Sequence, residues 1–88
     1  MATIEMYGTG FCPYCVRARL LLEKKEAPFT DIRIDREPHR RGEMEERAGG
    51  ASSVPQIFIN GQHIGGCDEL YELDFDGKLD PMLAGPSA

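Results

Sequence analysis

The Asn60-Gly61 pair restricts the possible folds of this 88-residue chain more than any other feature. It lies between two short runs, residues 56–59 and 62–64, which contain mainly β-branched, aromatic and amide side chains. An Asn-Gly pair between such runs is the strongest short-range signal for a β-hairpin, because both residues accept positive φ angles. We therefore predict two antiparallel strands joined by a two-residue turn.

Two strand–helix units precede this hairpin. Residues 3–7 alternate polar and apolar side chains, which is the period of a strand with one buried face. Residues 29–34 predict a second strand, with Thr30, Ile32 and Ile34 on one face. A helix is predicted to start at Pro13, because proline is tolerated at the first helical position, and good helix formers continue it over 16–25. Residues 37–48 are polar and helix-permissive, and they predict a second helix with Met44 and Ala48 facing inward.

A third helix is predicted over 68–75 and a last short helix over 78–83, whereas 84–88 are expected to be a frayed tail. The main order is therefore β-α-β-α-β-β-α. A strand–helix–strand unit requires a parallel pair with a right-handed crossover, whereas the hairpin requires an antiparallel pair. We predict a single α/β domain over 1–88, with a mixed four-stranded sheet flanked by helices.

Charge and hydropathy exclude several classes of partner. The formal net charge is −5, and all of this excess lies in residues 60–88, where Lys78 is the only Lys or Arg. An acidic surface repels a phosphate backbone, so nucleic acid is not expected. No apolar run approaches the roughly 18 residues that span a bilayer, and the N-terminus lacks the positive charge of a targeting peptide. We expect a monomeric cytoplasmic protein with no nucleic-acid or membrane partner.

The cysteines carry the chemical information. Three is an odd number, which argues against a disulfide-stapled secreted protein and favours a reducing compartment. Cys12-Pro13-Tyr14-Cys15 lies at the predicted strand-to-helix junction. Unpaired N–H groups and the helix dipole stabilise a thiolate there and lower the pKa of Cys12 from about 8.5. Cys15 lies inside the helix without those donors, so we predict that Cys12 is the nucleophile and Cys15 the resolving cysteine.

Two other interpretations of the pair are weaker. A structural disulfide would close a four-residue loop and contribute only about 2 kcal/mol to stability. A structural zinc site needs four ligands. Only His39, His63 and Cys67 remain to complete one, and they lack the usual ligand spacing. We therefore expect no metal.

Two further motifs accompany the cysteine pair. Ser53-Val54-Pro55 is either an ordinary strand entrance or a turn in which a cis Pro55 leaves the Val54 backbone free to pair with an extended peptide. Gly65-Gly66-Cys67-Asp68 combines two glycines, which let a ligand backbone approach closely, with a helix start that favours anions. Asp68 can accept from a ligand ammonium or cap its own helix.

The three motifs, in this order and spacing, resemble those of the dithiol glutaredoxins, and the run from Val54 to Leu70 is similar to the bacterial glutaredoxin 3 type. The likeness extends over about residues 3–83. It implies a thioredoxin-like fold and glutathione-dependent thiol–disulfide exchange. In that scheme Cys12 forms the mixed disulfide with glutathione, and Cys15 closes an intramolecular disulfide when a protein disulfide is reduced.

The resemblance also implies which residues contact glutathione. They are Thr9, Tyr14, Val54, Pro55, Gly66, Cys67 and Asp68. At position 9 the family usually has a lysine that contacts the glycine carboxylate of glutathione, so this chain departs from the pattern there. Arg40 or Arg41 is a candidate for a compensating charge. Cys67 is interpreted as a packed small side chain, the alternative being an oxidisable thiol.

Three functions are compatible with these residues. The first is glutathione-dependent reduction of protein disulfides and of glutathionylated proteins, with ribonucleotide reductase among the candidate substrates. The second is a glutaredoxin-like redoxin that thioredoxin reductase reduces, which Thr9 alone favours. The third is a [2Fe–2S] cluster carrier, which a proline directly after the nucleophile disfavours in this family. We predict the first.

Overall fold

The computed structural model describes residues 1–86. Its strands and helices are β1 (Ile4–Gly8), α1 (Pro13–Lys24), β2 (Thr30–Arg33), α2 (Arg41–Arg47), β3 (Gln56–Ile59), β4 (Gln62–Gly65), α3 (Cys67–Phe75) and α4 (Leu79–Ala84). Within the predicted frayed tail, Ala84 ends α4 and the Pro86 carbonyl accepts a hydrogen bond from Asn60 Nδ2 at 2.9 Å. Residues 87 and 88 of that tail lie outside the described residues.

The four strands form one mixed sheet in the order β2-β1-β3-β4. β1 runs parallel to β2 and antiparallel to β3, and β3 runs antiparallel to β4. At the turn between β3 and β4, Asn60 and Gly61 have φ angles of 52° and 79°. Both values are the positive φ that this turn requires. The predicted hairpin and the predicted mixed sheet are confirmed.

The prediction of a single buried face for β1 is wrong, because the structure buries both faces. Ile4 and Met6 pack in the larger core cluster with residues of α1, α3 and α4. Tyr7 points to the other side and packs with Met44 and Phe58. A central strand covered by helices on both sides loses the clean alternation of a half-exposed strand.

The predicted helix over 37–48 is shorter in the structure. Pro38–Arg40 form a 3₁₀ turn, and α2 spans only Arg41–Arg47. The inward positions are as predicted, since Met44 is fully buried and Ala48 is 6% exposed.

Met44 is the only buried residue of α2 itself. Met44→Ala is expected to lower the free energy of unfolding by about 2–5 kcal/mol, because truncation leaves a cavity under the helix. Urea unfolding followed by circular dichroism would measure this loss. Glu46→Ala, on the exposed side of the same helix, should change stability by less than about 0.5 kcal/mol. Equal losses in the two variants would contradict the anchoring role of Met44.

The topology brings three loops to one edge of the sheet. β1 ends at Gly8, and a short loop connects it to α1. The register pairs Tyr7, near the end of β1, with Gln56 at the start of β3. β4 ends at the same edge, since Gly65 pairs with Ile57. The loop before α1, the loop before β3 and the junction of β4 with α3 therefore meet, although they are far apart in sequence.

Candidate active site

A groove of about 410 Å³ lies where these loops meet. Most of the predicted glutathione-binding residues line it, namely Tyr14, Val54, Pro55, Gly66, Cys67 and Asp68. The Cys12 sulfur lies beside this groove, 4.0 Å from the carbonyl oxygen of Val54. Thr9 is not among the groove residues.

Cys12 caps the N-terminus of α1. Its backbone is extended, Pro13 occupies the first helical position, and the Cys12 carbonyl accepts the first helical hydrogen bond from Val16 at 3.0 Å. Burial by itself would raise the pKa of the Cys12 thiol, but the N–H groups of Cys15 and Tyr14, the Cys15 thiol and the Arg19 charge outweigh it. The net shift of the Cys12 pKa is downward, in the direction expected for a helix N-terminus.

Cys15 is fully buried one turn into the helix. Its sulfur accepts a hydrogen bond from the Thr9 N–H at 3.5 Å. Burial raises the pKa of the Cys15 thiol, and the neighbouring Cys12 raises it further. The two thiols are therefore chemically different, as the sequence predicted.

The Val54–Pro55 peptide bond is cis, which decides between the two interpretations that the sequence left open for this motif. The turn is held from beneath by Gln56, whose Nε2 donates to the carbonyl oxygen of Ser53 at 2.9 Å and to its hydroxyl at 3.3 Å. The Gln56 Oε1 in turn lies 2.6 Å from Nε2 of His63. None of the hydrogen bonds within residues 1–86 uses the Val54 N–H, which leaves that donor available to a ligand.

Sequence reasoning missed the positioning role of Gln56 and His63. A signal existed, because Gln56 is a polar residue in a strand whose other members are apolar, and it is only 4% exposed. A buried amide needs partners for both its donor and its acceptor. Its partners could not be identified from the sequence, since one lies in a loop and the other on the next strand.

Asp68 does not cap α3. The capping group is Glu69, whose Oε1 accepts from the Gly66 N–H at 2.7 Å. The Asp68 carboxylate makes no hydrogen bond or ion pair within residues 1–86 and lines the groove. A side chain on Gly66 would place its Cβ 3.2 Å from the Pro55 carbonyl oxygen, so glycine allows the two loops to approach. Capping by Glu69 thus leaves Asp68 free for a ligand.

Cys67 is 5% exposed and packs in the larger core cluster. Burial raises the pKa of its thiol, and the charge of Asp68 raises it further. These properties agree with the interpretation of Cys67 as a packed small side chain.

The candidate compensating arginines already have protein partners. Arg40 pairs with Glu43 at 2.8 Å, and Arg41 donates to the Ser52 carbonyl oxygen at 2.8 Å. Sequence reasoning overlooked a cation whose charge lowers the pKa of the Cys12 thiol. It is Arg19, which donates to the Thr9 carbonyl oxygen at 2.9 Å and lies one helical turn after Cys15. The spacing of four residues was the available signal, because such residues share a helix face.

The described part of the chain offers no group of three or more His, Cys, Asp or Glu side chains that could hold a metal ion. Across residues 1–86, no helix is both long and apolar enough to span a membrane.

Comparison with known proteins agrees with this geometry. The family profile described as Glutaredoxin matches residues 4–64. The chain is 52% identical to glutaredoxin 3 of Escherichia coli, over 94% of this chain and 99% of that protein. It is 51% identical to a probable glutaredoxin of Synechocystis sp., over 93% of each chain.

Solved structures give the same result. The crystal structure of a buckwheat glutaredoxin–glutathione complex superposes with a TM-score of 0.85 at 34% identity, covering 93% of this chain and 76% of that one. The solution structure of a dithiolic glutaredoxin from Trypanosoma brucei brucei gives a TM-score of 0.84 at 40% identity, covering 94% and 88%. With its thioredoxin-like fold and two unlike thiols at a helix N-terminus, the chain belongs to the glutaredoxin family of thiol–disulfide oxidoreductases.

Proposed function

We propose that the protein uses glutathione to reduce glutathionylated proteins and protein disulfides. The observation that carries this proposal is the position of the Cys12 sulfur beside a groove that offers both an unused backbone donor and an unpaired carboxylate. A redox thiol alone would serve any disulfide. A thiol next to a peptide-sized groove favours a small peptide co-substrate.

The groove residues suit the γ-glutamyl and cysteinyl units of glutathione. The backbone of Val54 can pair with the cysteinyl unit as an added strand would. The Asp68 carboxylate suits the ammonium group of the γ-glutamyl unit, and the N–H groups at the start of α3 suit its carboxylate. Tyr14 lines the groove and is 53% exposed, which would suit packing beside the tripeptide. Pro55, Gly66 and Cys67 complete the wall of the groove.

The reaction proceeds by thiolate exchange. The Cys12 thiolate attacks the glutathione sulfur of a protein–glutathione disulfide, so that a Cys12–glutathione bond forms and the protein thiolate leaves and takes up a proton. The thiolate of a second glutathione then attacks the bound glutathione sulfur, which releases glutathione disulfide and restores Cys12. This branch does not require Cys15.

A protein disulfide needs the second cysteine. Cys12 attacks one sulfur of that disulfide, and Cys15 then attacks Cys12 in the mixed disulfide and releases the reduced protein. Two glutathione molecules reduce the resulting Cys12–Cys15 bond. Ribonucleotide reductase is a proposed substrate of this branch, and the cytoplasm is the proposed compartment because its glutathione pool is kept reduced.

NADPH oxidation with a small glutathione mixed disulfide tests the proposal. One arm contains glutathione and glutathione reductase, and the other contains thioredoxin reductase without glutathione. We expect turnover only in the glutathione arm. Turnover only with thioredoxin reductase would contradict glutathione dependence and favour the redoxin alternative.

Asp68→Asn tests the glutathione contact. We expect the KM for the glutathione mixed disulfide to rise about tenfold with little change in kcat, because the amide keeps an acceptor but loses a charge-assisted hydrogen bond. Steady-state kinetics in the glutathione arm would measure both constants. Glu72→Gln, one turn further along α3 and outside the groove, removes the same charge and should leave the KM within about twofold. An equal rise in both variants would point to general electrostatics rather than a contact.

A further inference from the structure

The Thr9 peptide unit is held between two side chains of α1. Its N–H donates to the Cys15 sulfur at 3.5 Å, and its carbonyl oxygen accepts from Arg19 Nη1 at 2.9 Å. Cys15 and Arg19 are four residues apart and face the same side of the helix. The loop before the helix is thereby tied to the helix at two adjacent points.

Arg19 is itself fixed by a second partner. Its Nε and Nη2 atoms donate to the two carboxylate oxygens of Asp31 on β2, at 2.9 and 3.1 Å. The Arg19 side chain is only 15% exposed. A bidentate pair holds a planar guanidinium in one orientation, so the remaining Nη1 is directed at Thr9 by a strand of the central sheet.

Gly8 provides the space for this arrangement. A Cβ at position 8 would lie 3.0 Å from the Cys15 sulfur and 3.3 Å from Arg19 Nη2. Both side chains therefore pack against bare backbone, which lets the next N–H, that of Thr9, reach the sulfur.

Cys15 requires such a donor in one step only. It must attack as a thiolate, although burial raises the pKa of its thiol, and Thr9 partly offsets that rise. A buried charge with no hydrogen-bond donor is costly. We propose that Arg19 and Asp31 position the Thr9 N–H to stabilise the Cys15 thiolate when Cys15 resolves a mixed disulfide at Cys12.

This inference rests on the proposed function. It assigns to the Thr9 N–H the role of stabilising the Cys15 thiolate rather than of contacting glutathione. In the resolving step, the Cys15 thiolate attacks the Cys12 sulfur of the Cys12–glutathione disulfide. The Cys12–Cys15 bond forms as the bond to glutathione breaks, and the electron pair leaves on the glutathione sulfur. The released thiolate takes up a proton equivalent to the one that Cys15 lost.

Single-turnover kinetics separate this step from the one before it. Reduced protein is mixed rapidly with excess glutathione disulfide and quenched with acid, and the fraction glutathionylated at Cys12 is followed by mass spectrometry. Formation of the adduct reports on Cys12, and its decay reports on Cys15. In Arg19→Met we expect decay to slow about tenfold, with its half-maximal rate shifted to higher pH. Adduct formation should slow much less than decay, because Arg19 lowers the pKa of Cys12 less than the N–H groups of the helix start do.

Two further variants sharpen the result. Asp31→Asn keeps Arg19 but weakens its fixation, so decay should slow less than in Arg19→Met and in the same direction. Lys24→Met removes the same charge from the exposed end of α1 and should change neither phase. Circular dichroism would check that each variant folds.

The kinetics distinguish failure of this inference from failure of the proposed function. Slower adduct formation with unchanged decay would mean that Arg19 acts on Cys12 alone, and it would overturn the inference. Unchanged decay in both Arg19→Met and Asp31→Asn would also overturn it. A wild-type protein that forms no glutathione adduct would contradict the proposed function and remove the basis of the inference.

Discussion

Replacing Cys12 with serine is expected to abolish both branches of the reaction, with a loss of at least about 1000-fold. A serine hydroxyl is not a nucleophile toward sulfur at neutral pH, and no other described thiol can take its place. Cys15 is fully buried and Cys67 is 5% exposed, and burial raises the pKa of both thiols. The glutathione-coupled assay and reduction of a protein disulfide such as that of insulin would measure the two branches.

The pH dependence of Cys12 alkylation checks the reason for this loss. The fraction of thiolate rises as the pH passes upward through the pKa, and the N-terminus of α1 lowers the pKa of Cys12. We therefore expect the alkylation rate by iodoacetamide to reach half its maximum below about pH 8.5, the value for an ordinary cysteine. A midpoint at or above that value would contradict thiolate stabilisation. Substantial turnover by a folded Cys12→Ser variant would contradict its assignment as the nucleophile.

Replacing Cys15 with serine is expected to separate the two branches. Reduction of protein disulfides should fall by about 100-fold or more, because the mixed disulfide at Cys12 then has no internal thiol to resolve it. Reduction of glutathione mixed disulfides should stay within about twofold, since a second glutathione performs that step from solution. The ratio of the two activities, measured on the same preparation, is the quantity that tests this assignment.

Cys15→Ser is a conservative substitution, so a difference between its two activities can be attributed to loss of the thiol rather than to a change in structure. Serine is close in size to cysteine, and its hydroxyl can accept the hydrogen bond that the Thr9 N–H gives to the sulfur. Thermal unfolding of the variant would verify that the buried site tolerates the change. Loss of glutathione-coupled activity in a folded Cys15→Ser protein would show that Cys15 takes part in both branches and would contradict the monothiol mechanism.

The topology could be predicted because its signals are local. The positive φ angles that Asn60 and Gly61 accept specify a tight turn between antiparallel strands. Pro13 is favoured at the first position of a helix, and α1 begins there. The difference in acidity between Cys12 and Cys15 was also predictable, because it follows from the position of each thiol relative to one helix end.

The capping residue of a helix was harder to predict where two neighbouring carboxylates could both accept from the backbone N–H at the helix start. Asp68 and Glu69 both lie in the first turn of α3, and either can accept from the backbone at its start. The structure selects Glu69, whose carboxylate reaches back to Gly66 at 2.7 Å. The choice matters for function, because it leaves the Asp68 carboxylate facing the groove.

The sequence alone determined the order of the strands and helices, the hairpin, and the pair of unlike thiols at the start of α1, since each depends on residues a few positions apart. Only the tertiary structure decided how the site is supported. Gln56 reaches the cis-proline turn and His63, and Arg19 joins Thr9 to Asp31 across two strands of the sheet. These contacts depend on how helices and strands distant in sequence pack together, so the sequence can mark Gln56 and Arg19 as unusual but cannot identify their partners.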